Sequence, residues 1–149
     1  MTLYECGIRY ERTMENGMTK KVTELYLVDA LSFAEAEGRI TKEMEPYISG
    51  DFDVVTIKRT NYSEIVEGLS TADKWFKAKL MYITIDEKTG KEKKQAVHFI
   101  VRATDINNAH ICVVEHMKGS MMDYEIATLD ETKIMDLFRY MVNTTSSNG

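Results

Sequence analysis

Apolar and polar residues alternate through positions 3–10, so that Tyr4, Cys6, Ile8 and Tyr10 share one side of the chain. A period of two is that of a strand with one buried face. The same phase returns 72 residues later, where Phe76, Ala78, Leu80 and Tyr82 occupy the matching positions of 75–82. After one inserted residue the offset becomes 73, and Leu-Tyr-Leu-Val-Asp-Ala at 25–30 lies over His-Phe-Ile-Val-Arg-Ala at 98–103. Gly17 and Gly90 match between these strands, and Lys20-Lys21 matches Lys93-Lys94. Glycine tolerates positive φ, so both glycines mark hairpin tips.

The period then changes to that of a helix. Ser32 and Glu35 form a capping box, and Phe33, Ala36, Ile40 and Met44 follow on one helical stripe. In the second copy Asp105 takes the cap, followed by Ile106, Ala109, Val113 and Met117. Pro46 and Gly119 mark the two helix ends. A third strand follows in each copy, with Val55 and Ile57 placed over Tyr124 and Ile126 at an offset of about 69. A short helical turn is expected to close each copy, at Ile65-Val66 and Ile134-Met135, with Asn61 and Asp130 as caps.

The pattern predicts an α+β fold: two tandem ββαβ(α) repeats, about 3–68 and 75–138, with helices packed on antiparallel hairpins. Three strands and one helix bury little alone. The repeats are therefore expected to pack as a pseudo-twofold dimer within one fused domain over 1–142. Residues 67–74 would link them, and 143–149 would form a flexible tail.

Composition narrows the setting. The 149 residues are 44% hydrophobic and 29% charged, a globular balance, and the net charge is −5. No apolar run reaches the roughly 18 residues of a membrane span. The start lacks a basic and an apolar signal region, and Cys6 and Cys112 are far apart without CxxC spacing. The expectation is a cytoplasmic protein with no membrane association. Charge is unevenly placed: residues 74–104 hold eight basic and three acidic side chains, a net of +5 that leaves −10 for the rest. The outer phase of 75–82 is Trp75, Lys77, Lys79 and Met81, whereas the first copy has Leu3, Glu5, Gly7 and Arg9 there. The fold does not require this basic face, because its twin lacks it.

Lysines beside an indole suit single-stranded nucleic acid, through phosphate neutralisation and base stacking. Trp75 is the candidate stacking residue, and Lys77, Lys79, Lys93, Lys94 and Arg102 are the candidate phosphate contacts. Enzymatic chemistry finds less support. Cys112 and His116 share a helix face, but two ligands do not make a metal site. Asp86, Glu92 and Lys94 imitate the Asp…Glu-x-Lys set of metal nucleases, yet both acids flank one hairpin tip. No phosphate-loop, dinucleotide, nucleophile-elbow or zinc-protease motif occurs. The ten methionines, several of them late in the chain, serve either packing or an adaptable protein-binding surface. No catalytic residue, metal or cofactor is expected.

Longer runs carry a resemblance. Residues 20–37 (Lys-Lys-Val-Thr-Glu-Leu-Tyr-Leu-Val-Asp-Ala-Leu-Ser-Phe-Ala-Glu-Ala-Glu) resemble the family called domain of unknown function 4494. So do Ile48–Phe52, Ile57–Arg59, Ala72–Lys79 and Asp123–Ala127, and the likeness extends to about Phe138. It implies a cytosolic protein of gut Bacteroidetes or their phages and brings no catalytic residues. The functional expectation is a non-enzymatic accessory protein binding single-stranded nucleic acid, DNA above all, through the basic second hairpin. The alternatives are a protein-interaction module or inhibitor of a host or defence protein, and a sponge for a small anionic nucleotide between the repeats. Exposed strands are compatible with a homodimer.

Overall fold

A computed structural model describes residues 2–139. In chain order they form β1 (Leu3–Thr13), β2 (Thr19–Asp29), α1 (Phe33–Met44), β3 (Phe52–Arg59), β4 (Tyr62–Glu67), β5 (Lys74–Ile85), β6 (Glu92–Ala103), α2 (Ile106–Met117), β7 (Asp123–Glu131) and β8 (Ile134–Phe138). The fold is α+β with two four-stranded sheets, ordered β3-β1-β2-β8 and β4-β6-β5-β7. The chain divides into two compact units. One holds residues 2–60 and 134–139 of the described chain, and the other holds 61–133.

In the first unit, β1 and β2 pair antiparallel from Leu3 opposite Asp29 to Thr13 opposite Thr19. The turn beyond them has Gly17 at φ 82°, a conformation that only glycine adopts without strain. Alternation sends Tyr4, Cys6 and Ile8 of β1 to one face, with Tyr26 and Val28 of β2. α1 covers that face with Ala36, Ile40 and Met44. Ser32 caps it as its spacing predicts, its Oγ accepting from the Glu35 N–H at 3.1 Å. The Glu35 carboxylate reaches back to the Leu31 N–H at 3.2 Å. β3 pairs antiparallel with β1 and β8 pairs parallel with β2.

The second unit repeats this plan. β5 and β6 pair from Lys74 opposite Ala103 to Ile85 opposite Glu92, and Gly90 at φ 70° lies in the turn between them. Phe76, Ala78 and Leu80 join Phe99 and Val101 under Ala109, Val113 and Met117 of α2. Asp105 caps α2 by accepting from the Asn108 N–H at 2.8 Å. β7 pairs antiparallel with β5, and β4 pairs parallel with β6.

The duplication extends to irregularities. A bulge interrupts β1–β3 pairing between Gly7 and Ile8, and its counterpart lies between Lys79 and Leu80. Past the third strands, Thr60 returns its backbone N–H and its hydroxyl to the Leu3 carbonyl, at 3.0 and 2.7 Å. Thr132 does the same to the Trp75 carbonyl at 2.9 and 2.8 Å.

Two expectations are corrected. The segments at Ile65-Val66 and Ile134-Met135 are strands, not helical turns. Asn61 therefore precedes a strand, and Asp130 lies inside β7. Two apolar residues in a short segment do not distinguish the two periods, and the open edges of β6 and β2 supply partners that local sequence does not reveal. The offset of the third strands is 72 rather than 69. Ile8 faces Val54 as Leu80 faces Ile126, and Cys6 faces Ile57 as Ala78 faces Leu129. Val55 is the unpaired residue of the bulge between Val54 and Thr56, which is why it proves 45% exposed while Val54 and Ile57 both pack on the core. Each compact unit takes its fourth strand from the other sequence repeat. The expected tail, 143–149, lies outside the described residues.

Candidate binding face

The second sheet has two faces of different chemistry. One is buried by α2 through Phe76, Ala78 and Leu80. The alternate phase of β5 turns Trp75, Lys77, Lys79, Met81, Ile83 and Ile85 to the other side. From β6 this face receives Arg102, Ile100, His98, Ala96 and Lys94, which pair with Trp75, Lys77, Lys79, Met81 and Ile83. Trp75 and Ile100 are buried at one end, so the face is open only beyond them, toward Ile85. From β7 it receives Asp130 opposite Lys77, Thr128 opposite Lys79, Glu125 opposite Met81 and Asp123 opposite Ile83.

The six residues singled out from sequence are not all brought together. Trp75 is only 4% exposed, with the Arg102 guanidinium 5.9 Å from its ring centre. It offers no free ring face for stacking, which corrects the expectation for this side chain. Its twin Leu3 is also fully buried, so the position is apolar for packing reasons in both copies. Arg102 donates from Nε to the Ala72 carbonyl at 2.7 Å and lies 3.8 Å from Glu67. Lys94 is on the open face but is bound to Glu125 at 2.8 Å, and that carboxylate raises its pKa. Lys93 points to the opposite side and lies 3.3 Å from Asp86.

Lys77 and Lys79 differ from these four. Among the described residues neither forms an ion pair. Lys77 is exposed, Lys79 is half-buried, and His98 stands directly across the strand pair from Lys79. Burial first, then the charges of Lys79 and Lys77, hold the His98 pKa below the ordinary histidine value. Lys77, Lys79 and His98 thus form the part of the face where positive charge is least compensated.

The broader charge surplus does not form a continuous groove. β7 lines the face with Asp123, Glu125 and Asp130, and residues 61–133 hold ten basic against twelve acidic side chains. The +5 of residues 74–104 is cancelled within its own unit. Asp86, the first member of the nuclease-like set, serves its own turn. Its carboxylate accepts from the Lys88 and Thr89 N–H groups and meets Lys93, which together hold its pKa below the usual carboxylate range. His116 is bonded to Glu64 at 2.8 Å, while the Cys112 Sγ lies 3.9 Å from the Asn108 side-chain Oδ1. Burial raises the Cys112 pKa, the opposite of what an activated thiol needs. Among the described residues no group of three or more His, Cys, Asp or Glu is placed to hold a metal ion.

Met81, Ile83 and Ile85 were not singled out from sequence as a site. Met81 and Ile83 are half-buried and Ile85 is 62% exposed. The signal was present: over Leu80–Ile83 both phases of the strand are apolar, and one of them must face away from α2. Their twins are Arg9, Glu11 and Thr13, all polar. His98 lies on the surface of β6, an interior strand between β4 and β5.

No helix among the described residues is long and apolar enough to cross a membrane. No curated protein matches the chain. The family profile described as "Domain of unknown function (DUF4494)" matches residues 2–140, nearly the whole sequence, and the chain belongs to that family.

Proposed function

We propose that this chain is a non-enzymatic accessory protein that binds a macromolecular partner on the open face of the second sheet. One observation carries the reading: Lys77, Lys79, Met81, Ile83 and Ile85 share one side of β5, whereas the first sheet has Glu5, Gly7, Arg9, Glu11 and Thr13 there. A face that the fold does not require, present in one copy only, is a candidate for function.

A protein partner fits this face best. Ile85 is exposed and Met81 and Ile83 are half-buried beside it, and aliphatic surface left in water favours burial by another chain. Nucleic acid is the second reading, favoured by the unpaired Lys77 and Lys79 beside His98. The buried Trp75 leaves it without a stacking platform, and Asp123, Glu125 and Asp130 border the same path. A setting in the cytosol of Bacteroidetes or their phages, with action on a host or defence protein, belongs to the same proposal.

A photo-crosslinking residue at position 83, compared with one at the twin position 11, tests this in extracts of the source cell. The expected result is a defined adduct at position 83 that Lys77→Glu with Lys79→Glu removes. Equal labelling from both positions would show that the face has no special role. An adduct with nucleic acid, with binding that weakens steeply as salt rises, would select the second reading.

A further inference from the structure

We infer that the occupant of this face is an acidic amphipathic helix of a partner protein, an inference that rests on the open face being a binding surface. A sheet is stably covered by a layer on each apolar side. In this unit α2 contacts all four strands from one side and buries Phe76, Ala78 and Leu80. The unit supplies no second helix for the side that carries Met81, Ile83 and Ile85.

The dimensions suit a helix. Met81 and Ile85 are four residues apart on one strand, about 13 Å. Two to three helical turns span about 11–16 Å and present apolar side chains at every third or fourth position. Charge then sets the orientation and sign. Lys77 and Lys79 continue the same strand face beyond Met81, and no carboxylate among the described residues pairs with either. Lys94, nearer the apolar end, is already neutralised by Glu125 at 2.8 Å. Carboxylates at one end of the helix would meet the two lysines while its apolar stripe covered Met81, Ile83 and Ile85. A phosphodiester chain is the poorer fit, because past the lysines it would run beside Glu125 and Asp123.

Selection from a displayed library of random peptides about 18 residues long, about five helical turns, tests the chemistry. The expected peptides place Leu or Ile at helical spacing and Asp or Glu at one end. They should weaken about tenfold or more with Lys77→Glu plus Lys79→Glu, and likewise with Ile83→Ser plus Ile85→Ser. Glu11→Gln in the first sheet should leave binding unchanged. The milder Lys77→Gln plus Lys79→Gln, with unfolding midpoints for every variant, separates lost contact from lost fold. No enrichment, enrichment of basic peptides, or peptides indifferent to both variant pairs would overturn the inference. Oligothymidine binding that both variant pairs abolish would overturn the helix yet keep the face as a binding surface. Indifference of peptides and oligonucleotides alike would sink both.

Discussion

The two sheets share a backbone plan down to the position of a bulge, yet their open faces carry opposite chemistry. Glu5 stands in register with Lys58 in the first, and at the same positions Lys77 stands in register with Asp130 in the second. Gly7 becomes Lys79, and Arg9, Glu11 and Thr13 become Met81, Ile83 and Ile85. The helix-covered faces do not diverge in this way: Ile8 and Leu80 are both fully buried, as are Cys6 and Ala78. Packing against a helix tolerates only residues of similar volume and polarity, whereas the opposite face is free to change sign. The outer face is therefore where the two copies differ in chemistry.

The largest test concerns the exchanged strands. Each sheet takes its fourth strand from the other sequence repeat, and we propose on that ground that the two halves fold as one domain. Ending the chain after Lys133 removes β8, which pairs with Leu25–Val28 and stacks Phe138 on Tyr26 with ring centres 5.8 Å apart. The loss should reach several kcal/mol, at about 1.5–3 kcal/mol for each large apolar side chain that β8 buries. Hydrogen exchange should accelerate in β1 and β2, far away in sequence. Unchanged protection there would show that β8 is dispensable and end the parallel between the sheets.

Gly68→Ala comes next. A Cβ at Gly68 would lie 2.7 Å from the Cys112 Sγ and 2.9 Å from the Arg102 carbonyl oxygen. Backbone cannot move aside as a side chain can, so a cost of about 1–3 kcal/mol is expected in a denaturant melt. A neutral result would mean that this end of β4 is looser than its contacts imply.

The matched threonines give a finer test of the likeness. Thr60→Val and Thr132→Val each remove one hydroxyl bond while the carbonyl keeps its backbone N–H partner. Each should cost about 0.5–1.5 kcal/mol, and the two costs should agree. A twofold difference in chemical denaturation would show that similar geometry hides different energetics.

Smaller still is the charge inversion. Lys77→Glu should destabilise by setting a second carboxylate opposite Asp130, and adding Asp130→Lys should recover the arrangement of Glu5 and Lys58. The coupling expected from a double-mutant cycle is about 0.2–1 kcal/mol, the range for facing pairs in antiparallel strands. No coupling would show that register alone does not bring these groups into contact.

The smallest effect is His98 itself. Its folded pKa lies below the unfolded one, so the unfolded chain binds the proton more readily. This contribution is intact above the ordinary histidine value near 6.5 and is lost as pH falls from there through the lowered folded pKa. Proton resonance titration should place His98 below that value. Lys79→Gln should bring it part of the way back, because burial remains the larger cause. A titration at the ordinary value in the wild type would remove the case for concentrated positive charge at this spot.

Much of the architecture was legible along the chain. The phase of Tyr4, Cys6 and Ile8, the turn glycines, and the caps at Ser32 and Asp105 each act within a few residues, and local pattern states such things directly. The candidate face was legible only in part. Lys77 and Lys79 were visible as outward positions of a strand, and the burial of Trp75 could have been read from its twin Leu3.

Local pattern suffices for the repeated unit: alternation places the hairpins and helical spacing places α1 and α2, because both arise from backbone geometry over short stretches. Tertiary structure alone decided which lysines stay uncompensated, since Lys94 meets Glu125 from 31 residues away. It also decided that β4 and β8 each complete the sheet of the other repeat, because parallel pairing joins segments distant along the chain and leaves no local mark in either.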